Sequence, residues 1–148
     1  MFSTKVGIEI EFTGITRSDA ADIAADLLNG TACRLFDHYD TYSVMDSKDR
    51  AWDFKSDSSI ECQRVEDGRQ IPAGKEYSVE LVSPVLIYDE DIETLTELVR
   101  RLRDAGGFVN SSAGLHVHLN GADQGPRSIR NFINIIASRN DLSIKACK

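Results

Sequence analysis

Strict alternation of apolar and polar residues in the segment KVGIEIEF, residues 5–12, is the feature that most constrains the fold of this chain. Because successive side chains of a β-strand point to opposite faces, the four apolar residues from Val6 to Phe12 share one face. Glu9 and Glu11 lie together on the other face. The segment therefore predicts a strand that buries one face in a core and presents two carboxylates on the opposite face.

The rest of the chain shows both strand-like and helix-like patterns. Strands are predicted at residues 41–46, 51–55, 57–65, 77–85 and 108–120, helices at 19–30, at 89–105 and from Pro126 onward, and a loop at 66–75. The polar turn at residues 47–50 is short enough to make the strands on either side antiparallel neighbours. These elements predict an α+β fold with a largely antiparallel β-sheet and helices packed on one face.

Polar residues mark the expected starts of the first two helices. Ser18 or Asp19 is positioned to cap the first helix, and Asp89 is positioned to cap the second. The pattern after Pro126 gives the third helix an apolar face, which we expect to point inward and which consists of Ile129, Phe132, Ile133 and Ile136.

Composition limits the class of protein. The chain has 148 residues, of which 41% are hydrophobic and 28% are charged, so one soluble domain over residues 1–148 is expected. The net charge of −7 argues against a nucleic-acid partner, since phosphate binding needs a basic surface. No apolar run approaches the ~20 residues of a membrane-spanning helix, so no membrane partner is expected. Three widely spaced cysteines without a CxxC pair favour a reducing, cytoplasmic compartment.

Acidic and imidazole side chains recur on the polar faces or at the ends of several predicted strands: Glu9, Glu11, Asp57, Glu80, His116 and His118. If these strands share one sheet, their polar faces coincide on the side opposite the helices. Carboxylates that lie close together repel one another, and a divalent cation would relieve that repulsion. Oxygen ligands with a minority of imidazole suit Mg²⁺ or Mn²⁺ better than Zn²⁺, and Mg²⁺ is normally shared with nucleotide phosphates.

Each motif also has a purely structural interpretation. Taken alone, the pair of Glu9 and Glu11 is more often a solvated strand face than a ligand set. The pair of His116 and His118 is a stronger signal, because imidazole is a common metal ligand. The third histidine, His38, is expected in a polar loop without a role. What favours a site is the joint occurrence of these motifs on separate strands.

Four motifs in the order GIEIEF, DSSI, VELVSP and GLHVHLN resemble those of the amidoligase family, and NFINIIASRNDLSIKA resembles the helix that follows the HVH strand there. The family belongs to the carboxylate–amine ligase superfamily, with glutamate–cysteine ligase and glutamine synthetase. The resemblance implies a glutamine synthetase/glutamate–cysteine ligase-like fold, of which this chain would be the N-terminal, incomplete portion. It also implies that ATP phosphorylates a small-molecule or peptide carboxylate, and that an amine then displaces the phosphate to form an amide.

The resemblance further implies roles for individual residues. The ligands of Mg²⁺ would be Glu9, Glu11, Glu80 and His116. The contacts to ATP would come from Glu11, His116 and His118. The catalytic residues would be Glu9, Glu11, Asp57 and His118, with Asp57 acting as a ligand or orienting the amine.

The missing loop motifs indicate how a nucleotide would be held, and the length of the chain leaves other functions open. The sequence lacks GxxxxGK[ST] and GxGxxG loops, which favours a nucleotide held by metal over one held by a loop. Family members are longer, so we expect a fragment, a relative without catalysis, or a short relative that completes its site as a homo-oligomer through unpaired sheet edges. The alternatives to a ligase are a non-catalytic binding or regulatory module that retains the ligase fold and, ranked lower, a metal-dependent hydrolase.

Overall fold

The computed structural model describes residues 5–120, 125–127, 130, 131, 133 and 134. Within these residues the strands are β1 (Lys5–Phe12), β2 (Ala32–Arg34), β3 (Tyr42–Met45), β4 (Ala51–Lys55), β5 (Gln63–Glu66), β6 (Arg69–Pro72), β7 (Val79–Val82), β8 (Leu86–Ile87) and β9 (Leu115–Leu119). The helices are α1 (Arg17–Leu28) and α2 (Tyr88–Asp104), with a 3-10 turn at Lys75–Tyr77. Contacts divide the chain into two compact units, residues 1–118 and 119–148. The expectation of one domain stays a prediction.

Among the described residues, the main sheet contains seven strands in the order β2-β3-β4-β7-β1-β8, and β9 also pairs with β1. Antiparallel pairing sets Glu11 opposite Glu80 on β7, and Glu80 opposite Lys55 on β4. The strands β1, β3, β4 and β7 each lie within a segment that was predicted to be a strand. The mixed fold with a mostly antiparallel sheet is therefore confirmed, whereas the glutamine synthetase-like fold stays a prediction.

The two faces of the main sheet differ as the alternation in β1 predicted. The side that meets the helices supplies large, fully buried side chains, namely Val44, Trp52, Phe54, Val79 and Leu81. The helices pack there with Ala20, Ala21, Ala24, Leu95, Leu98 and Leu102. Each large apolar side chain that is buried contributes about 1.5–3 kcal/mol, so this layer stabilises the sheet and leaves its other face to polar residues.

The first helix begins earlier than its predicted cap. Thr16 is the N-cap, and the prediction of Ser18 or Asp19 is wrong. The Asp19 N–H donates to the Thr16 hydroxyl at 3.1 Å, and the Thr16 N–H donates to the Asp19 carboxylate at 3.4 Å. In this capping box Asp19 is the partner of the cap, three residues into the helix. The helix ends at Leu28, and its C-cap Asn29 has a φ of 53° in the left-handed region.

The second helix also begins without the predicted cap. Ile87 is the N-cap, and Asp89 lies exposed in the first turn. The carboxylate that reaches back belongs instead to Asp91, which accepts the Ile87 N–H at 2.8 Å. The prediction that Asp89 caps this helix is therefore wrong, and no side chain among the described residues caps it. The Asp91 carboxylate instead bonds the N-cap backbone, and a carboxylate near a helix N-terminus also favours the helix dipole.

Four charged residues tie the turn after β3 to the start of α2, and we call them the ion-pair cluster: Asp46, Lys48, Arg50 and Asp91. Arg50 lies 2.8 Å from Asp91 and 2.9 Å from Asp46, and Lys48 lies 3.0 Å from Asp91. The Trp52 indole N–H donates to Asp46 at 3.1 Å. The guanidinium of Arg50 holds the pKa of Asp91 well below its usual range, so both buried carboxylates are neutralised by partners.

Residues 57–65 do not continue the main sheet, so that prediction is wrong. The strand β5 pairs instead with β6, which lies in the segment 66–75 that was predicted to be a loop. Asp67 and Gly68 connect them with φ angles of 50° and 74°, the left-handed values of a tight hairpin turn. Alternation indicated a strand here, but it carries no information about which strand is the partner.

Only the last part of the segment 108–120 is a strand, so the predicted start was too early. Asn110 Oδ1 accepts hydrogen bonds from the N–H and the hydroxyl of Ser112, at 3.0 Å and 2.6 Å. These side-chain bonds favour a turn over an extended chain. After the turn, the Glu11 N–H donates to the Gly114 carbonyl at 3.0 Å, which brings the chain alongside β1.

The described residues of the second unit include helical residues from Pro126 onward. Ile133 was expected to point inward but is 57% exposed, because an apolar pattern predicts a helix face and not the surface that would cover it. Ile129, Phe132 and Ile136 lie outside the described residues. No helix in the described part of the chain combines the length and hydropathy needed to cross a membrane.

Candidate metal centre

Three side chains from three strands converge on the polar face of the main sheet. Glu9 on β1, Glu80 on β7 and His116 on β9 each offer one ligand atom, and these atoms lie within 4.8 Å of one another. The two carboxylates are partly buried and the imidazole is exposed. Ligand atoms at this separation are close enough to surround one cation. Residues 107 positions apart in the chain therefore form one compact group.

A second group of the same size shares one member with the first. Glu11, Asp57 and Glu80 also bring carboxylate oxygens within 4.8 Å of one another. We call the combined set the acid cluster: Glu9, Glu11, Asp57, Glu80 and His116. Because Glu80 belongs to both groups, the two groups adjoin each other on one sheet face.

Both histidines of the HVH motif contact Glu9. His116 Nδ1 lies 3.0 Å from Glu9 Oε2, and His118 Nε2 lies 3.1 Å from Glu9 Oε1. The hydrogen bond between His116 and Glu9 raises the pKa of the imidazole and lowers the pKa of the carboxyl group. His118 thus lies at the margin of the acid cluster and belongs to neither cation-sized group of described residues.

Like charges concentrate around Glu80. Burial raises the pKa of its carboxyl group, and the charges of Glu9, Asp57 and Glu11 raise it further. A divalent cation would remove this repulsion. The donor atoms are carboxylate oxygens with one imidazole nitrogen, which is the chemistry that suits Mg²⁺ or Mn²⁺. The residues present therefore fit the metal that the sequence predicted.

Asp57 is held in the acid cluster by its neighbours. The Ser78 hydroxyl accepts the Asp57 N–H at 2.9 Å and donates to the Asp57 carbonyl at 2.6 Å. The Ser59 N–H donates to Asp57 Oδ1 at 2.7 Å and lowers the pKa of the carboxyl group. Arg17 donates to the Ser78 carbonyl at 2.8 Å. Since Ser78 lies two residues before Glu80, its hydroxyl positions Asp57 relative to Glu80.

Glu11 is fixed by a glycine at the start of the HVH strand. The Gly114 N–H donates to Glu11 Oε2 at 2.7 Å, which satisfies part of a carboxylate that is only 6% exposed. A Cβ at Gly114 would lie 3.2 Å from that oxygen and 3.5 Å from His116 Nε2. A residue without a side chain therefore allows the backbone to approach the carboxylate.

Sequence reasoning did not single out three residues beside the acid cluster: Lys55, Ser78 and Gly114. Alternation along β4 could have revealed Lys55, because it places this residue on the same face as Glu80. The roles of Ser78 and Gly114 depend on contacts between distant segments, for which the sequence carries no local signal. His38 lies exposed in the loop between β2 and β3, as expected.

An apolar cavity of ≈ 390 Å³ lies on the other face of the main sheet. Its walls include Ile10, Phe12 and Leu81, which alternate along β1 and β7 with residues of the acid cluster. Because alternate residues point to opposite faces, the sheet separates the cavity from the acid cluster. The cavity is therefore no part of the candidate metal centre.

A family model described as "putative amidoligase enzyme" matches residues 3–147. The chain belongs to this family. The match agrees with the resemblance carried by the four sequence motifs, and it supports a ligase at a coarse level. Comparison with curated proteins and with solved structures finds no match.

Proposed function

We propose that this amidoligase-family chain is an ATP- and Mg²⁺-dependent carboxylate–amine ligase, or a portion of one. The observation that carries the proposal is the convergence of the acid cluster into two cation-sized groups. A solvated strand face does not require several carboxylates around a partly buried one, because each added charge raises the cost of burial. A cation site gives that arrangement a physical reason.

Glu9, Glu80 and His116 would hold one Mg²⁺ or Mn²⁺ ion, and Glu11 with Asp57 would complete a second position around the shared Glu80. A bound ion would neutralise and orient the phosphates of ATP, which is the main requirement of phosphoryl transfer. The exposed side of the acid cluster would receive the nucleotide and the carboxylate and amine substrates, which are small molecules or peptides.

His118 would contribute through its neighbour. It contacts Glu9 at 3.1 Å and is exposed, so its ring both orients that ligand and remains accessible to a phosphate or substrate oxygen. An imidazole bonded to a ligating carboxylate fixes the orientation of that carboxylate.

The proposal is tested by measuring ADP formation with Mg²⁺ across a panel of amino acids and peptides that supply carboxylates and amines. ADP release that requires both substrates, together with an amide product detected by mass spectrometry, supports a ligase. Glu80→Gln should abolish the reaction. Glu93→Gln is the matched control, because Glu93 is an exposed carboxylate on α2, across the sheet from the acid cluster.

Two other results would replace the proposal. Binding of Mg²⁺ and a non-hydrolysable nucleotide without any turnover would indicate a non-catalytic binding or regulatory module. Substrate hydrolysis with Mn²⁺ in the absence of ATP would indicate a metal-dependent hydrolase.

A further inference from the structure

Lys55 is a cation that faces the acid cluster. It ends β4, lies directly opposite Glu80 in the β4–β7 register, and its side chain is 32% exposed. Directly opposed residues in antiparallel strands have Cβ atoms about 4.5–5.5 Å apart, so the lysine side chain can extend over the carboxylate or past it. The ammonium group can therefore reach the space that a ligand of the acid cluster would occupy.

The ion pair that Lys55 makes with a carboxylate is long. Its Nζ lies 3.8 Å from Asp53 Oδ2, whereas Asp53 Oδ1 accepts the Ser43 hydroxyl at 2.6 Å. In the ion-pair cluster, by contrast, Lys48 lies 3.0 Å from Asp91. A partly exposed pair at 3.8 Å contributes little to stability. The geometry thus leaves the ammonium group of Lys55 able to bind another anion.

The charge of Lys55 already acts on the acid cluster. It opposes the effects of burial and of neighbouring carboxylates that raise the pKa of Glu80. A divalent cation bound to Glu80 would repel the ammonium group of Lys55 unless an anion lay between them. An anionic group that contacts both the metal and Lys55 would lie between the two positive charges and attract both.

We propose that Lys55 binds a phosphate oxygen of the nucleotide held at the acid cluster. This inference rests on the proposed function and assigns the phosphate-binding cation that the sequence motifs did not provide. Phosphate is the matching anion because Mg²⁺ usually keeps positions open for substrate phosphates, and lysine binds phosphate as a mobile point charge. Lys55 then acts on the nucleotide, whereas the carboxylates act on the metal.

The test compares two titrations by calorimetry, one with Mn²⁺ alone and one with pyrophosphate in the presence of saturating Mn²⁺. Lys55→Gln should weaken pyrophosphate binding by about tenfold, the loss expected for one charge-assisted hydrogen bond. The same variant should bind Mn²⁺ alone as tightly as the wild type or more tightly, because a neighbouring positive charge is removed. Lys55→Arg should restore most of the pyrophosphate affinity.

The control is Lys75→Gln, since Lys75 is an exposed lysine in the 3-10 turn. It should leave both titrations unchanged, and thermal unfolding of every variant verifies that the fold is intact. The same titrations with ADP and with glutamate distinguish a nucleotide phosphate from a substrate carboxylate.

Each other outcome has a defined meaning. If the wild type binds Mn²⁺ and pyrophosphate but Lys55→Gln binds pyrophosphate equally well, the role of Lys55 is wrong and the metal site stands. If the substitution weakens glutamate binding and leaves pyrophosphate and ADP unaffected, the anion is a carboxylate and the phosphate assignment is overturned. If the wild type binds no Mn²⁺, the proposed function fails and the inference fails with it.

Discussion

The acid cluster and the ion-pair cluster place carboxylates in opposite surroundings. In the ion-pair cluster, Arg50 and Lys48 contact the buried Asp91 at 2.8 Å and 3.0 Å, and the pKa of that carboxyl group is lowered. In the acid cluster, burial and the surrounding carboxylates raise the pKa of Glu80. The charge of a buried carboxylate is thus stabilised by cationic partners in one region, and the charge of a partly buried carboxylate is destabilised by acidic neighbours in the other.

The difference indicates what each region is for. A carboxylate that is paired with cations inside the protein has its charge balanced once the chain is folded, so it stabilises the folded state. Carboxylates that repel one another on an accessible face lower stability until a cation binds, and such perturbed groups concentrate at functional sites. Substitutions in each of the two clusters test this interpretation directly.

The largest effect is expected for Asp91→Asn. Asparagine can still accept the Ile87 N–H, but it removes the carboxylate that Arg50 and Lys48 share. Among the described carboxylates, Arg50 then keeps only Asp46, and Lys48 keeps only Glu90. Loss of the charge-assisted hydrogen bonds to the buried Asp91 carboxylate should lower the free energy of unfolding by about 3 kcal/mol. Urea denaturation measures the loss. A change within error would mean that this cluster contributes nothing to stability, and the contrast between the two regions would disappear.

Glu80→Gln should have the largest effect on metal binding. Glu80 belongs to both cation-sized groups, so the substitution removes a charged ligand from each. Affinity for Mn²⁺, measured by calorimetry, should fall by roughly 100-fold, the upper end of the losses seen when even outer-sphere partners of a metal are removed. Asp91→Asn, studied at a temperature where it is folded, should retain wild-type affinity. Equal losses in both variants would show that folding alone controls metal binding.

Stability should depend on pH through the ion-pair cluster. Because the pKa of Asp91 is lower in the folded state than in the unfolded chain, its contribution is fully present above the unfolded value of about 3.9 and is lost as pH falls below it. The gap in free energy of unfolding between the wild type and Asp91→Asn should therefore be constant near neutral pH and narrow below about pH 4. A constant gap down to pH 2 would contradict this assignment.

Ser78→Ala should affect both stability and the site by smaller amounts. The variant loses two hydrogen bonds to the Asp57 backbone, so the free energy of unfolding should fall by about 2 kcal/mol. Because Asp57 would move relative to Glu80, Mn²⁺ affinity should fall by about tenfold. Ser43→Ala is the control, since it removes a hydrogen bond to Asp53 outside the acid cluster and should lower stability alone.

The smallest expected effect is the change in stability that Glu80→Gln causes in the absence of metal. Removal of a charge that is partly buried among three carboxylates should raise the free energy of unfolding by about 1 kcal/mol at pH 7. Asp46→Asn in the ion-pair cluster should change it in the opposite direction, because Asp46 is paired with Arg50 and with the Trp52 indole. Opposite changes in the free energy of unfolding of the two variants, both measured by urea denaturation, would establish the contrast between the two clusters.

Local patterns in the sequence were sufficient for the elements that build the site. Alternation predicted β1, and the shared face of Glu9 and Glu11 followed from it. Strand-like segments between turn residues predicted β3, β4 and β7. Helical periodicity predicted α1 and α2 to within a few residues. These predictions succeed because each depends on neighbours along one segment, where burial of one face dictates the pattern.

Predictions that depended on contacts between distant segments of the chain were less successful. The segment 57–65 was assigned to the main sheet, yet β5 pairs with β6, because hydrogen bonding between strands is not encoded in the alternation of either strand. The cap of α1 was placed at Ser18 or Asp19 because both residue types cap helices; the choice of Thr16 depends on where the chain turns. The role of Ser78 depends on the approach of Asp57 from another segment.

The small β5–β6 hairpin has a practical consequence. It forms a two-stranded sheet of its own, and a side chain added at Gly68 in its turn would meet no atom within 4 Å. Exposed turns of this kind tolerate added chain. A peptide tag that replaces this turn and carries its own Gly-containing linker should leave the candidate metal centre undisturbed and would allow the protein to be immobilised on a sensor surface.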